Sequence, residues 1–137
     1  MIEIEKNKKE LIKKLTSILL KEKNIVFAYI FGSFCEEEKN FKDIDIGIYI
    51  KDKFIKKIDI VEFEIYLSLK LEKIISFSID IKIINYAPLG FKYQVTKGIL
   101  LFSKNEGERE EFICKTRLEY YDFQPIAKSY LQEVLNG

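Results

Sequence analysis

Three observations predict an α/β domain, with helices packed on a sheet and a helical segment at its C-terminal end. Apolar residues switch between helical and strand periodicity along the chain. The β-prone runs are separated by helical ones in the order α β α β α β α β α. At 137 residues, 47% hydrophobic and 14% aromatic, the chain can bury a core without disulfide staples. No internal repeat or Ser/Pro-rich linker divides it, so residues 1–137 read as a single domain, with 107–137 as the C-terminal segment.

Each element has its own signal. From Asn7 to Lys23, Leu11, Ile12, Leu15, Ile18 and Leu19 recur at helical spacing, with Lys8, Lys9, Lys13 and Lys14 as a solvated face and Asn24 as the stop. Ile25 to Phe31 is a continuous β-prone run, short enough for a buried strand, and Gly32-Ser33 breaks it. Phe34 to Asn40 reads as one or two helical turns and a loop, with Ser33 at the helix N-cap. Asp43 to Ile50 alternates strictly, Ile44, Ile46, Ile48 and Ile50 on one face and Asp43, Asp45, Gly47 and Tyr49 on the other. Ile58 to Ile75 is helical, with Val61, Ile65 and Leu69 marking its turns. Phe77 to Ile84 alternates again and sets Asp80 and Lys82 opposite Ile79, Ile81 and Ile83. Pro88 to Lys97 is a short helix with proline near its start, and Ile99 to Phe102 a last strand. Gly107 to Leu135 is mostly helical, with Pro125 kinking or interrupting it.

Composition removes several chemistries. Lys plus Arg is 23 against 22 Asp plus Glu, and a net charge of +1 argues against direct nucleic-acid binding. No apolar run reaches membrane-span length and no signal pattern opens the chain, so a soluble, cytoplasmic protein is expected. The chain has no histidine, which excludes His-ligated zinc, His triads and His general bases. Cys35 and Cys114 are too few for a thiolate metal site and read as small buried hydrophobes in a reducing compartment. Any catalysis falls to carboxylates, hydroxyls, lysines and bound metal.

One constellation stands out. A strand feeds Gly32-Ser33, and ten residues after Ser33 a second strand carries Asp43-Ile44-Asp45. Two residues apart on a strand, the carboxylates share a face at roughly 6–7 Å, where like charges repel unless a cation joins them. Asp80, on the polar side of the next β-prone run, is either a third carboxylate of the cluster or an exposed edge residue. Acidic oxygens without histidine suit magnesium, which favours carboxylates plus substrate phosphates. Two such ions stabilise the entering and leaving oxygens of an in-line phosphoryl displacement. Gly32 lets a triphosphate approach the backbone, Ser33 offers a hydroxyl and a main-chain N–H at a helix start, and Gly47 leaves room for the nucleotide. Asp-x-Asp alone is also a common solvated strand face.

Gly32-Ser33 with Asp43-x-Asp45 resembles the signature of the polymerase-β-like nucleotidyltransferases, whose fold is a mixed sheet with packed helices. The length and the later Asp80 resemble the minimal (MNT) branch, and Arg109-Glu110-Glu111-Phe112 through Tyr120-Tyr121-Asp122-Phe123-Gln124-Pro125 is similar to the tail of MntA-type antitoxins, encoded beside HEPN ribonuclease toxins. The resemblance implies Asp43 and Asp45 as principal ligands of two Mg2+ ions, Asp80 as third ligand and base, and Gly32 and Ser33 at the phosphates of ATP. It implies AMP transfer onto a tyrosine hydroxyl of the HEPN toxin, with an oligomer or hetero-complex expected. The chain departs from many relatives after Ser33, where a small residue and an arginine give way to Phe34-Cys35-Glu36-Glu37-Glu38. Lys39 or Lys42 is then the replacement cation, and Lys42 is placed with the nucleotide-binding residues.

Two other readings stand beside this one. The acidic run after Ser33 fits an antitoxin that neutralises its toxin by binding alone. A small-molecule nucleotidyltransferase would need a further domain to hold its acceptor. Tyr120, Tyr121 and Phe123 are either packing residues or a partner patch.

Overall fold

The computed structural model describes residues 2–36 and 43–136, with side chains over 7–36, 43–122 and 132–135. The chain runs α1 (Ile2–Leu20), β1 (Ile25–Phe31), a 3-10 turn (Gly32–Cys35), β2 (Asp43–Ile50), α2 (Asp52–Ile55), α3 (Ile60–Glu72), β3 (Ser78–Ile83), α4 (Leu89–Thr96), β4 (Ile99–Ser103) and α5 (Glu106–Asn136). The four strands form one sheet in the order β3-β2-β1-β4. β1 is antiparallel to both β2 and β4, and β2 is parallel to β3, so the sheet is mixed as expected.

The alternation along β2 separates two apolar layers. Its isoleucines point with Ala28, Ile30, Ile79, Ile81 and Ile83 toward Leu15 and Leu19 of α1 and Leu67 and Leu71 of α3, where nearly all are fully buried. The opposite face carries Phe27 and Tyr29 against Val95 of α4 and Phe91, Phe112 and Ile113 of α4 and α5. On that second face Phe27 stacks on Tyr49 with ring centroids 4.8 Å apart.

Several boundaries move for local reasons. α1 ends at Leu20, before the expected Lys23, because Lys21 and Glu22 donate to carbonyls three residues back and tighten the chain out of the α-helix. α3 starts at Ile60, since the Asp59 carboxylate accepts from the Glu62 amide at 3.0 Å and caps the helix. The short helix α2 has no periodicity long enough to announce it. α5 runs unbroken through Pro125, so the expected interruption does not occur; proline removes one backbone donor, and the helix continues on both sides of it. Val61, Ile65 and Leu69 face outward, each more than half exposed, while Leu67 and Leu71 point inward. α3 is thus apolar on both sides, and spacing alone does not say which row meets the core. Among the described residues, no helix is long and apolar enough to cross a membrane.

α3 also closes the open edge of the sheet. The β3 amides of Ile83, Ile81 and Ile79 donate in turn to Glu64 Oε2 (2.8 Å), Ser68 Oγ (3.3 Å) and Glu72 Oε1 (2.9 Å). Residues four apart share a helix face and alternate strand residues share an edge, so one polar row on α3 satisfies one row of edge donors. Replacing Glu64 with Leu leaves the Ile83 amide without its acceptor and is expected to cost about 1–3 kcal/mol in urea denaturation. An unchanged midpoint would show that solvent supplies this bond instead.

Candidate functional site

The candidate site lies on the second face of the sheet, where β1 ends and β2 begins. Antiparallel pairing sets Phe31, the last residue of β1, opposite Asp45. Parallel pairing of β2 with β3 sets Asp45 opposite Asp80 and Asp43 opposite Ser78. Neighbouring strands are about 4.8 Å apart, so Asp43, Asp45 and Asp80 share a face at close quarters. Phe31 packs edge-on against Phe91 of α4, with centroids 5.4 Å apart, and forms an apolar wall beside the acids.

Gly32 is where this geometry is tightest. Its φ of +77° lies in the region that disfavours side chains, and a Cβ there would stand 2.5 Å from Asp45 Oδ2. The glycine therefore both turns the chain and leaves the Asp45 carboxylate its place. Ser33 follows, exposed, within a four-residue 3-10 turn. This corrects the expected helix start: Phe31 holds the N-cap position, no side chain caps the turn, and the Glu36 amide closes it onto the Ser33 carbonyl at 3.2 Å.

The electrostatics are those of crowded anions. Burial first, then the charges of Asp80 and Asp43, push the Asp45 carboxyl above its ordinary pKa. Among the described residues Asp45 meets no cation and accepts no hydrogen bond. Asp80 is more exposed, with Lys82 Nζ 3.9 Å from its Oδ1. Among the described residues no three acidic or thiol groups close into a metal-holding cluster. The donor set nevertheless suits magnesium, which keeps several waters and takes one or two carboxylates together with substrate phosphates.

Other expectations are placed differently. Lys42, Lys39, Glu37 and Glu38 lie outside the described residues, and so does the side chain of Phe123. Gly47 leaves no room for a nucleotide: a Cβ there would meet Val95 at 2.9 Å and Ile84 at 3.0 Å, so its space lets α4 sit on the sheet. Cys35 and Cys114 are exposed, not buried, since one ends the surface turn and the other borders an open cavity of about 360 Å3 along α5. Tyr120 is a packing residue, stacked on Tyr93 with centroids 3.8 Å apart. Tyr121 is more exposed, its hydroxyl 3.4 Å from that of Tyr93.

Arg109 has a role that the sequence reading missed, and Lys8, expected on the solvated face of α1, is instead half-buried against the turn. Arg109 ties α5 to β1 through the Tyr29 hydroxyl, 2.9 Å from its Nη1, and pairs with Glu106. Lys8 donates to the Phe34 carbonyl at 2.7 Å and the Glu36 carbonyl at 3.0 Å, and so holds the turn that contains Ser33. Neither contact has a local signal, because the partners are 80 and 26 residues away.

The sequence matches the family model described as polymerase beta, nucleotidyltransferase, over residues 13–107. Solved structures share the fold. A chain from the tri-AMPylated HEPN toxin of Shewanella oneidensis in complex with MNT antitoxin superposes with a TM-score of 0.70 at 21% identity, covering 93% of this chain and 98% of that one. A chain of the toxin–antitoxin MntA–HepT gives 0.68 at 20% identity over 93% and 98%. A chain of a toxin–antitoxin structure with AMP-PNP gives 0.68 at 22% identity over 88% and 96%. No curated protein matches the sequence closely enough to count as a relative.

The strained Asp45 carboxylate makes a prediction about stability. The unfolded chain releases this proton near the usual aspartate value of about 3.9, and the folded chain only at higher pH. Within that window the folded state binds the extra proton, so stability falls as pH rises through it. Asp45→Asn is therefore expected to raise the melting temperature of the metal-free protein at pH 7 by a few degrees. It should also flatten this part of the pH–stability curve. A lower melting temperature at neutral pH would show that the carboxylate is not strained.

Proposed function

The chain belongs to the polymerase beta nucleotidyltransferase family, and on that premise we propose that it is a cytoplasmic antitoxin that transfers AMP from ATP to a tyrosine hydroxyl of a HEPN toxin. The observation that carries the chemistry is the register of Asp45 against Asp80, with Gly32 at the same carboxylate. The acceptor and the partner are supported by the shared fold with chains from a tri-AMPylated HEPN toxin complex, and the nucleotide by the structure with AMP-PNP.

In this reading Asp43 and Asp45 would hold two magnesium ions, with Asp80 as the third carboxylate. Bound magnesium supplies charge stabilisation at the phosphates and at the entering and leaving oxygens. Gly32 and Ser33 hold the triphosphate, the glycine by its bare backbone and the serine by its hydroxyl and amide, and Lys42 adds a cation. The Asp80 carboxylate takes the tyrosine proton as the phenolic oxygen bonds to the α-phosphorus. The bond from that phosphorus to the bridging oxygen breaks, and pyrophosphate leaves with the electron pair. Burial, and then the charges of Asp80 and Asp43, raise the Asp45 pKa, and a divalent charge held there would offset both.

A second reading, neutralisation by binding alone, is favoured by the acidic run Glu36-Glu37-Glu38, which repels a triphosphate beside Ser33. Intact mass spectrometry separates the two. The protein is incubated with the product of its neighbouring gene, ATP and magnesium. Whole AMP increments on the toxin are expected, lost with EDTA and reduced at least about 100-fold in rate by Asp45→Ala, since metal stabilisation is worth several kcal/mol. A toxin that stays unmodified yet inhibited would establish neutralisation by contact.

A further inference from the structure

Among the described lysine side chains of α1, Lys8 stands apart. Its ammonium reaches across to the segment after β1 and donates to two successive alternate carbonyls, Phe34 O at 2.7 Å and Glu36 O at 3.0 Å. It also lies 5.1 Å from the centroid of the Phe34 ring. Phe34 is 1% exposed and packs into the layer beneath the sheet with Leu15 and Ile30. Cys35 donates through Sγ to the Ile30 carbonyl at 3.2 Å. The turn is thus pinned from the α1 side by an apolar side chain and a cation, and at one end by a thiol. Gly32 opens it at a φ of +77°, where an added Cβ would stand against Asp45.

We propose that Lys8 is a positioning residue for the triphosphate, acting through the turn and not by touching the nucleotide. The inference rests on the nucleotidyltransferase reading above. A 3-10 turn of four residues has few hydrogen bonds of its own. Ordering it before the substrate arrives lowers the conformational cost of binding. Charge-assisted bonds to carbonyls are stronger than neutral ones, which suits a lysine to this task. The carbonyls of Phe34 and Glu36 are drawn toward α1, and this fixes the orientation of the peptide groups that follow Ser33. A cation at the base of the turn also offsets the negative charge of Glu36 beside a triphosphate.

Two measurements on the whole protein test this, with Lys8→Met and Lys8→Arg as the variants. In hydrogen exchange without nucleotide, Lys8→Met should speed exchange of the Glu36 amide, which closes the turn, about tenfold or more, and Lys8→Arg should restore most of the protection. Amides in β1 and β2 should keep their protection in both variants. In calorimetric titration with magnesium and AMP-PNP, Lys8→Met should weaken binding about tenfold, and Lys8→Arg should recover it. Unchanged exchange at Glu36 in Lys8→Met overturns the proposal, as does nucleotide binding equal to that of the unmodified chain. Loss of protection throughout the sheet also overturns it, because Lys8 would then support the fold as a whole. Failure of the unmodified chain to bind AMP-PNP overturns the nucleotidyltransferase reading, and the triphosphate role with it, whereas the exchange result still decides whether Lys8 holds the turn.

Discussion

Three carboxylates that repel one another are held on one face by apolar residues on the other. Ile44 and Ile46 of β2 and Ile79 and Ile81 of β3 are almost completely buried beneath the sheet. Each such side chain contributes about 1.5–3 kcal/mol. Like charges on neighbouring strands cost no more than about 3 kcal/mol at roughly 5.5 Å and an effective dielectric constant of 20. The isoleucines win, so the strands stay paired with Asp45 opposite Asp80. A slip of one residue would send the aspartates into the core and the isoleucines into solvent, which makes the register non-negotiable. The acids are therefore presented side by side on one face, with like charges on neighbouring strands.

The same division of labour runs through the rest of the molecule. Rigid parts are set by burial, and the segments that border the site are set by a few polar ties. β1 is buried along almost its whole length, yet it ends in a short turn held by Lys8, Cys35 and its own backbone bonds. α3 covers the edge of β3 with Glu64, Ser68 and Glu72, so the sheet offers no free row of donors on that side. Membership of the nucleotidyltransferase family fits a rigid sheet that sets aspartates on one face beside a glycine turn.

The linear order of residues determined a good deal by itself. Strict alternation from Asp43 to Ile50 and from Ser78 to Ile83 defined both strands, because period two has no helical reading. It also placed Asp43 and Asp45 on one face and marked Gly32-Ser33 as a break in the strand. Only the tertiary structure decided that Asp80 stands opposite Asp45, since strand register depends on which apolar faces meet. It alone assigned Gly47 to the packing of α4, turned Val61, Ile65 and Leu69 outward, and brought Lys8 to the turn 26 residues away. The physical reason is range: periodicity reports the face a residue occupies on its own element, whereas its partner on another element is chosen by packing that no local window contains.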